Sequence, residues 1–185
     1  MKLAEALKIA EEVQGWLAPY CEPNRCEICG SIRRRKAEVG DVELLCVPNP
    51  LRATFGYRIM NGVDQKLDEL LQEGALDCRR TQNGQTVYGI KNKLLVHVAS
   101  GFPVDIFSTT ETNWWMSLVI RTGPKESNIK LAMAAKQKSW KLNAYGSGYT
   151  CYDLCTGEEQ GHVTCHSERE VFESVGLDYK EPWER

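Results

Sequence analysis

"GSIRRRKAEVGDVE", residues 30–43, sets four consecutive cations between a Gly-Ser pair and two carboxylates. Asp41 and Glu43 stand two apart at the start of the apolar run "VELLCV". That spacing predicts a strand on which both side chains leave one face. Two adjacent unpaired carboxylates on a core face would cost several kcal/mol, so the face must serve something charged. Asp105 in "PVDIF" repeats the arrangement, a lone acid among apolar residues on a strand. Three carboxylates from neighbouring strand ends form a site for two divalent ions ~3.5–4 Å apart. Oxygen donors of this kind suit Mg²⁺ or Mn²⁺ rather than zinc. Taken alone, an Asp-x-Glu pair more often bridges to nearby cations such as Arg33–Lys36 or lies on a solvated edge.

The residues before it shift that balance. Gly30 lets a phosphate approach the backbone, and Ser31 at a helix start offers its hydroxyl beside free N–H groups. Arg34 follows Ser31 by three residues, so on a helical turn both project to one side. Ser31 and Arg34 then read as ligands of a triphosphate whose α-phosphorus lies over the metals.

Outward from this stretch the chain alternates helices and strands. Residues 2–17 carry apolar side chains at helical spacing, closed by Pro19 and Pro23. "RCEIC" reads as a strand entering Gly30, and "VDQKLDELLQEG" as a second amphipathic helix with Gly74 at its C-cap. "ALDCRR", "QTVYGI" and "LLVHVA" read as a strand meander with an Asn83-Gly84 turn. "FPVDIFS" follows as a strand and "NWWMSLVIRTG" as a helix ending at Gly123. Residues 125–138 read as a basic helix, the Cys-rich stretch after it as a small hairpin, and "EREVFESVGL" as a last helix. The natural boundary falls at Thr122-Gly123, giving an α/β part over 1–122 and a basic α+β part over 123–185.

The 185 residues are 42% apolar and 26% charged, with formal net charge −2, which argues against bulk nucleic-acid binding. The distribution says more. From Arg121 to Lys141 six cations face one acid, whereas from Leu142 onward nine acids face three cations. A basic segment so confined predicts a directed partner. No apolar run reaches the ~20 residues of a membrane helix, and the acid-rich N-terminus does not read as a signal peptide. A cytoplasmic protein, in a cell or an infected host, is expected.

Eight cysteines then read first as free thiols. Cys21, Cys26 and Cys29 form one group, read as buried structural thiols. Cys151, Cys155, His162, Cys165 and His166 form another, whose spacing is not that of an established zinc knuckle, and zinc is left open there.

The ordered set resembles the nucleotidyltransferase superfamily, specifically the family X DNA polymerases typified by DNA polymerase beta. The family's Gly-Ser, Arg-Arg and Gly-Asp-x-Asp positions match Gly30, Ser31, Arg33, Arg34, Gly40 and Asp41, with Glu43 in place of the second Asp. "PVDIF" matches the strand of the third carboxylate. "RTGPKESNIKLAMAAKQKSWKLNAYG" resembles the family's Thr-Gly turn, thumb helix and "LNEYG"-like ending, and "EREVFESVGLDYKEPWER" its terminal helix and tail. The resemblance covers the whole chain and implies an α+β fold, a nucleotidyltransferase palm of mixed sheet and helices followed by a small α+β thumb. It is to a stripped-down palm-plus-thumb form, like small viral versions, without lyase, fingers or phosphoesterase domains.

By matched position, the resemblance makes Asp41, Glu43 and Asp105 the ligands of two Mg²⁺ or Mn²⁺ ions, with Asp105 also activating the primer 3′-hydroxyl. Gly30, Ser31 and Arg34 would hold the phosphates of a dNTP. Arg121, Thr122, Gly123 and Asn128 would lie along the nucleotide. Lys125, Lys130, Lys136 and Lys138 would contact primer-template or gapped DNA. Ile120-Arg121 stands where the type member has an aromatic pair that helps exclude ribonucleotides, which leaves sugar choice open. The implied activity is dNMP addition to a DNA 3′-end by a monomer, filling short gaps in repair. A nucleotidyltransferase acting on RNA or another acceptor is the rival reading, and a non-catalytic DNA-binding module the more distant one.

Overall fold

The computed structural model describes residues 1–55 and 58–185. The chain divides into two compact units, the first Met1–Ile32 with Lys36–Thr109, the second Arg33–Arg35 with Thr110–Arg185.

In chain order the first unit contains α1 (Leu3–Leu17), β1 (Cys21–Ile28), the single-turn α2 (Gly30–Arg33, whose last residue belongs to the second unit) and β2 (Val42–Pro48). β3 (Pro50–Phe55), β4 (Arg58–Asn61), α3 (Gly62–Gln72), β5 (Leu76–Cys78), β6 (Asn92–His97) and β7 (Phe102–Ser108) follow. Five strands make one sheet in the order β1-β2-β7-β6-β5, while β3 and β4 pair separately. β2 and β7 run parallel, and every other pair in the large sheet is antiparallel.

The helical spacing in α1 buries Ala6, Ile9, Ala10, Val13 and Leu17 as one stripe. It packs with Val63, Leu67 and Leu70 of α3 against Val42, Leu44 and Cys46 of β2 and Val104 and Ile106 of β7. Because side chains alternate along a strand, burying the even-numbered residues turns Glu43 and Asp105 to the sheet's other face. Within the core side lies a fully buried ion pair, Lys93 Nζ to Asp64 Oδ1 at 2.6 Å. Asn61 caps α3 by accepting from the Asp64 N–H at 2.9 Å and donates to Asp64 Oδ2 at 3.0 Å.

The second unit contains α4 (Trp114–Thr122), α5 (Lys125–Gln137), β8 (Trp140–Leu142), β9 (Gly148–Tyr152), β10 (Glu159–Thr164) and α6 (Glu168–Glu173). Its core joins Met116 and Val119 of α4, Leu131 and Ala135 of α5, Tyr149 of β9, Cys165, and Val171 and Phe172 of α6. The Tyr149 hydroxyl is buried and donates to the Val171 carbonyl at 2.5 Å.

The compact units divide between Thr109 and Thr110, since the apolar face of α4 packs into the second core. Two features differ from the sequence reading. "QTVYGI" makes only isolated bridges, Arg80 with Thr86 and Tyr88 with Lys93, since its residues bury no continuous face. The Cys-rich stretch joins a three-stranded antiparallel sheet, β10-β9-β8, rather than a lone hairpin. Among the described residues no helix is long and apolar enough to cross a membrane.

Candidate active site

In the first unit strand register brings two of the three expected carboxylates together, Glu43 and Asp105. Glu43 of β2 and Asp105 of β7 are direct partners across the parallel pair, so their side chains leave the same face side by side. Asp41 lies one residue before β2 rather than on it, two positions from Glu43. Glu43 is half-buried and Asp105 is 9% exposed. Glu43 and Asp105 offer hard oxygen donors on one face, at the edge of an apolar core, which suits a divalent ion of the Mg²⁺ type, while Asp41 is not gathered with them into a cluster of three ligand atoms.

Gly30 is bound to this arrangement by space. Its φ is +60°, which favours glycine, and a Cβ there would sit 1.8 Å from Glu43 Oε2, so any other residue would make the carboxylate shift. The preceding Cys29 N–H donates to the Glu43 carbonyl at 2.7 Å, fixing the backbone beneath it. The Ser31 hydroxyl oxygen is buried and has no hydrogen-bond partner, as expected of a group reserved for a ligand.

One participant escapes the sequence reading. Arg79 Nη2 donates to Asp105 Oδ1 in a salt bridge. Arg79 donates its backbone N–H to Leu94 at 3.0 Å, and Leu94 is the register partner of Asp105. The guanidinium therefore reaches across β6 along one row of the sheet. Its only sequence signal is the "CRR" that begins at the last residue of β5.

In the second unit the arginines of the opening stretch have definite partners. Arg33 donates to Thr122 Oγ1 at 2.7 Å and pairs with Glu168 Oε1, while Arg185 donates to Glu168 Oε2 at 2.6 Å. Arg34 Nη1 donates to the Thr122 carbonyl, leaving its Nε buried without a partner. Gly123, at φ +63°, allows this approach; a Cβ there would meet Arg34 Nη1 at 3.2 Å. Arg35, which had no role from sequence, stacks over Trp183 at 4.1 Å. Asn128 donates to the Ile120 carbonyl at 2.9 Å and keeps a buried Oδ1 without a partner. Arg121 donates to the Tyr145 hydroxyl at 3.0 Å, and the Asn113 amide holds the Tyr145 carbonyl at 2.9 Å.

Lys125, Lys130, Lys136 and Lys138 are exposed on and just after α5. Lys138 also donates to the Ser174 carbonyl at 2.8 Å. The Cys151/Cys155/His162/Cys165/His166 set does not gather: among the described residues only Cys21, Cys26 and Cys46 bring three ligand atoms together. His162 Nε2 lies 2.8 Å from Ser147 Oγ, and Cys165 is buried in the second core.

Burial pushes the Glu168 carboxyl up, but Arg33 and Arg185 outweigh it and hold the group below the usual carboxylate range. The sign follows from linkage. A folded-state pKa below the unfolded value of ~4.3 gives stability that is full above that value. It is lost as pH falls through the folded-state pKa. Glu168→Gln is therefore expected to flatten the loss of stability below about pH 4. Denaturant titrations of both proteins across that range check this, and parallel pH profiles would remove the assignment.

A family model described as DNA polymerase beta thumb matches residues 117–185. DNA polymerase lambda of Rattus norvegicus is 26% identical over 192 aligned residues, which take in 100% of this chain and 33% of that protein. The chain thus spans about a third of the length of this curated relative.

Proposed function

We propose that the chain, similar to the DNA polymerase beta thumb over residues 117–185 and to DNA polymerase lambda, is a family X DNA polymerase-like protein that transfers dNMP from a dNTP to a DNA 3′-hydroxyl, filling short gaps. The observation that carries this reading is the register of Glu43 with Asp105 on parallel neighbouring strands, with Gly30 making room for the Glu43 carboxylate.

Asp41, Glu43 and Asp105 would hold two Mg²⁺ or Mn²⁺ ions. When bound, such ions supply charge stabilisation at the reacting phosphorus and the leaving pyrophosphate. Glu43 is one methylene longer than an aspartate, and the side-chain-free Gly30 beneath it accommodates that length. Asp105 takes the proton of the primer 3′-hydroxyl, with Arg79 holding the carboxylate's orientation. Gly30, Ser31 and Arg34 bind the phosphates; the unpartnered Ser31 hydroxyl and Arg34 Nε support that role. Thr122 and Gly123 present the turn beside the nucleotide, and Asn128 offers its unpartnered Oδ1 to the sugar or base edge. Arg121, already stacked 5.7 Å from the Tyr145 ring centre, contacts base or template.

Extension of a labelled gapped duplex with each dNTP and rNTP, in Mg²⁺ and in Mn²⁺, tests the proposal. Growth with dNTPs supports it. Growth with rNTPs alone overturns the dNTP assignment while keeping a DNA acceptor, and no growth on duplex or single-strand primers removes the polymerase reading.

The exposed lysines of α5 supply affinity through phosphates without reading sequence. Replacing Lys130 and Lys136 together by alanine is expected to reduce the slope of log K against log salt by about 2, at ~0.9 per phosphate contact. Fluorescence anisotropy over a salt series measures it. An unchanged slope would take α5 out of the DNA contact.

A further inference from the structure

Cys26 of β1 and Cys46 of β2 are direct cross-strand partners, with their sulfurs 3.6 Å apart. Continuing that register would set Asn24 opposite Pro48. Instead Cys21 is the partner of Pro48, so three extra residues bulge out of β1. Asn24, at φ +59°, turns through the left-handed region to make the bulge. In an unbroken strand the Cys21 and Cys26 backbones would stand ~16 Å apart. The bulge folds the chain back so that the three sulfurs of Cys21, Cys26 and Cys46 lie within 4.8 Å of one another.

We propose that Cys21, Cys26 and Cys46 bind one soft d¹⁰ cation, Zn²⁺ or Cu⁺, as a three-sulfur site. Metal–sulfur bonds of ~2.3 Å in tetrahedral geometry set neighbouring sulfurs ~3.8 Å apart, close to the observed Cys26–Cys46 separation. Thiolates select such ions over Mg²⁺, so the site is chemically orthogonal to the carboxylates on β2 and β7. Cys21 and Cys46 are buried and Cys26 is half-buried, which gives an apolar surround with one side open to entry. Cys21 Sγ also lies 3.3 Å from the Leu17 carbonyl, which orients it. The cation would tie the bulge of β1 to β2, the strand that carries Glu43. Cys29, the third thiol that sequence spacing suggests, points elsewhere, with its sulfur 3.6 Å from the Glu27 carbonyl.

The test uses the full chain, reduced and kept without oxygen. Zn²⁺ is titrated against a chromophoric chelator and Cu⁺ against a Cu⁺-specific one, and Cd²⁺ reports thiolate bonds through its charge-transfer absorption. The expected result is one cation per chain and protection of the three thiols from alkylation. Cys26→Ser and Cys46→Ser should each weaken binding by at least about 100-fold, beyond the loss from an outer-shell partner, while Cys155→Ser leaves it unchanged. Cys26 is not fully buried, so its serine variant keeps the test valid should Cys46→Ser unfold. Failure to take up either cation, or binding that survives Cys26→Ser, overturns the proposal.

Discussion

Asp105→Asn is expected to lower the rate of primer extension by about 10³-fold or more, equivalent to ~4 kcal/mol of transition-state stabilisation. The substitution keeps the side chain's shape and removes its charge. On the proposed reading it takes away a metal-ligating oxygen and the group that accepts the 3′-hydroxyl proton, and it breaks the ion pair with Arg79. Single-turnover extension of a gapped duplex measures the effect, with circular dichroism showing that the fold is kept. A rate within a few-fold of wild type would sink the assignment of Asp105. Arg79→Ala separates positioning from ligation. It should lower the rate less than Asp105→Asn and shift the pH–rate profile, because it removes only the cation beside the carboxylate.

The largest expected effect on stability comes from the interior of the first unit. Lys93→Met is expected to destabilise the protein by about 3–5 kcal/mol. Lys93 and Asp64 are 0% and 2% exposed, and their ion pair is completed by the Gly89 carbonyl at 3.1 Å and the Asn61 amide. Removing the cation leaves a carboxylate in the core that, among the described residues, keeps one side-chain hydrogen bond, from the Asn61 amide to Oδ2. The double variant Lys93→Met/Asp64→Leu removes both charges and should recover most of the loss, since apolar replacement of a whole buried pair is often neutral. Urea unfolding of the two variants decides the point. If Lys93→Met costs less than about 1 kcal/mol, the pair is not held out of water as described.

Much of the candidate site is legible along the chain because its parts are local. The alternation in "VELLCV" sets Glu43 on the face opposite Leu44 and Cys46, and the structure has that face. The Gly30-Ser31 step and the Thr122-Gly123 turn are short-range features of backbone freedom, and both glycines have positive φ. The helix over 3–17 follows from apolar spacing, and the segment 125–138 read as a basic helix forms one over 125–137. Where spacing had no buried face behind it, as in "QTVYGI", the expected strand did not form.

By itself, then, the sequence determined which residue types stand where along each element, and with them the likeness to a two-metal nucleotidyltransferase. Period-two and period-3.6 patterns are properties of neighbours in the chain, and so are turns. Only the tertiary structure decided the partners across elements: Glu43 with Asp105, Arg79 with Asp105, Lys93 with Asp64 and Arg33 with Glu168. It also replaced Cys29 by Cys46 in the thiol cluster, through a bulge that no local pattern announces. The physical reason is common to all of these. A charge or thiol on one strand can find its partner on any strand of matching face. Register, sheet order and bulges, set by how the whole apolar core packs, choose among them.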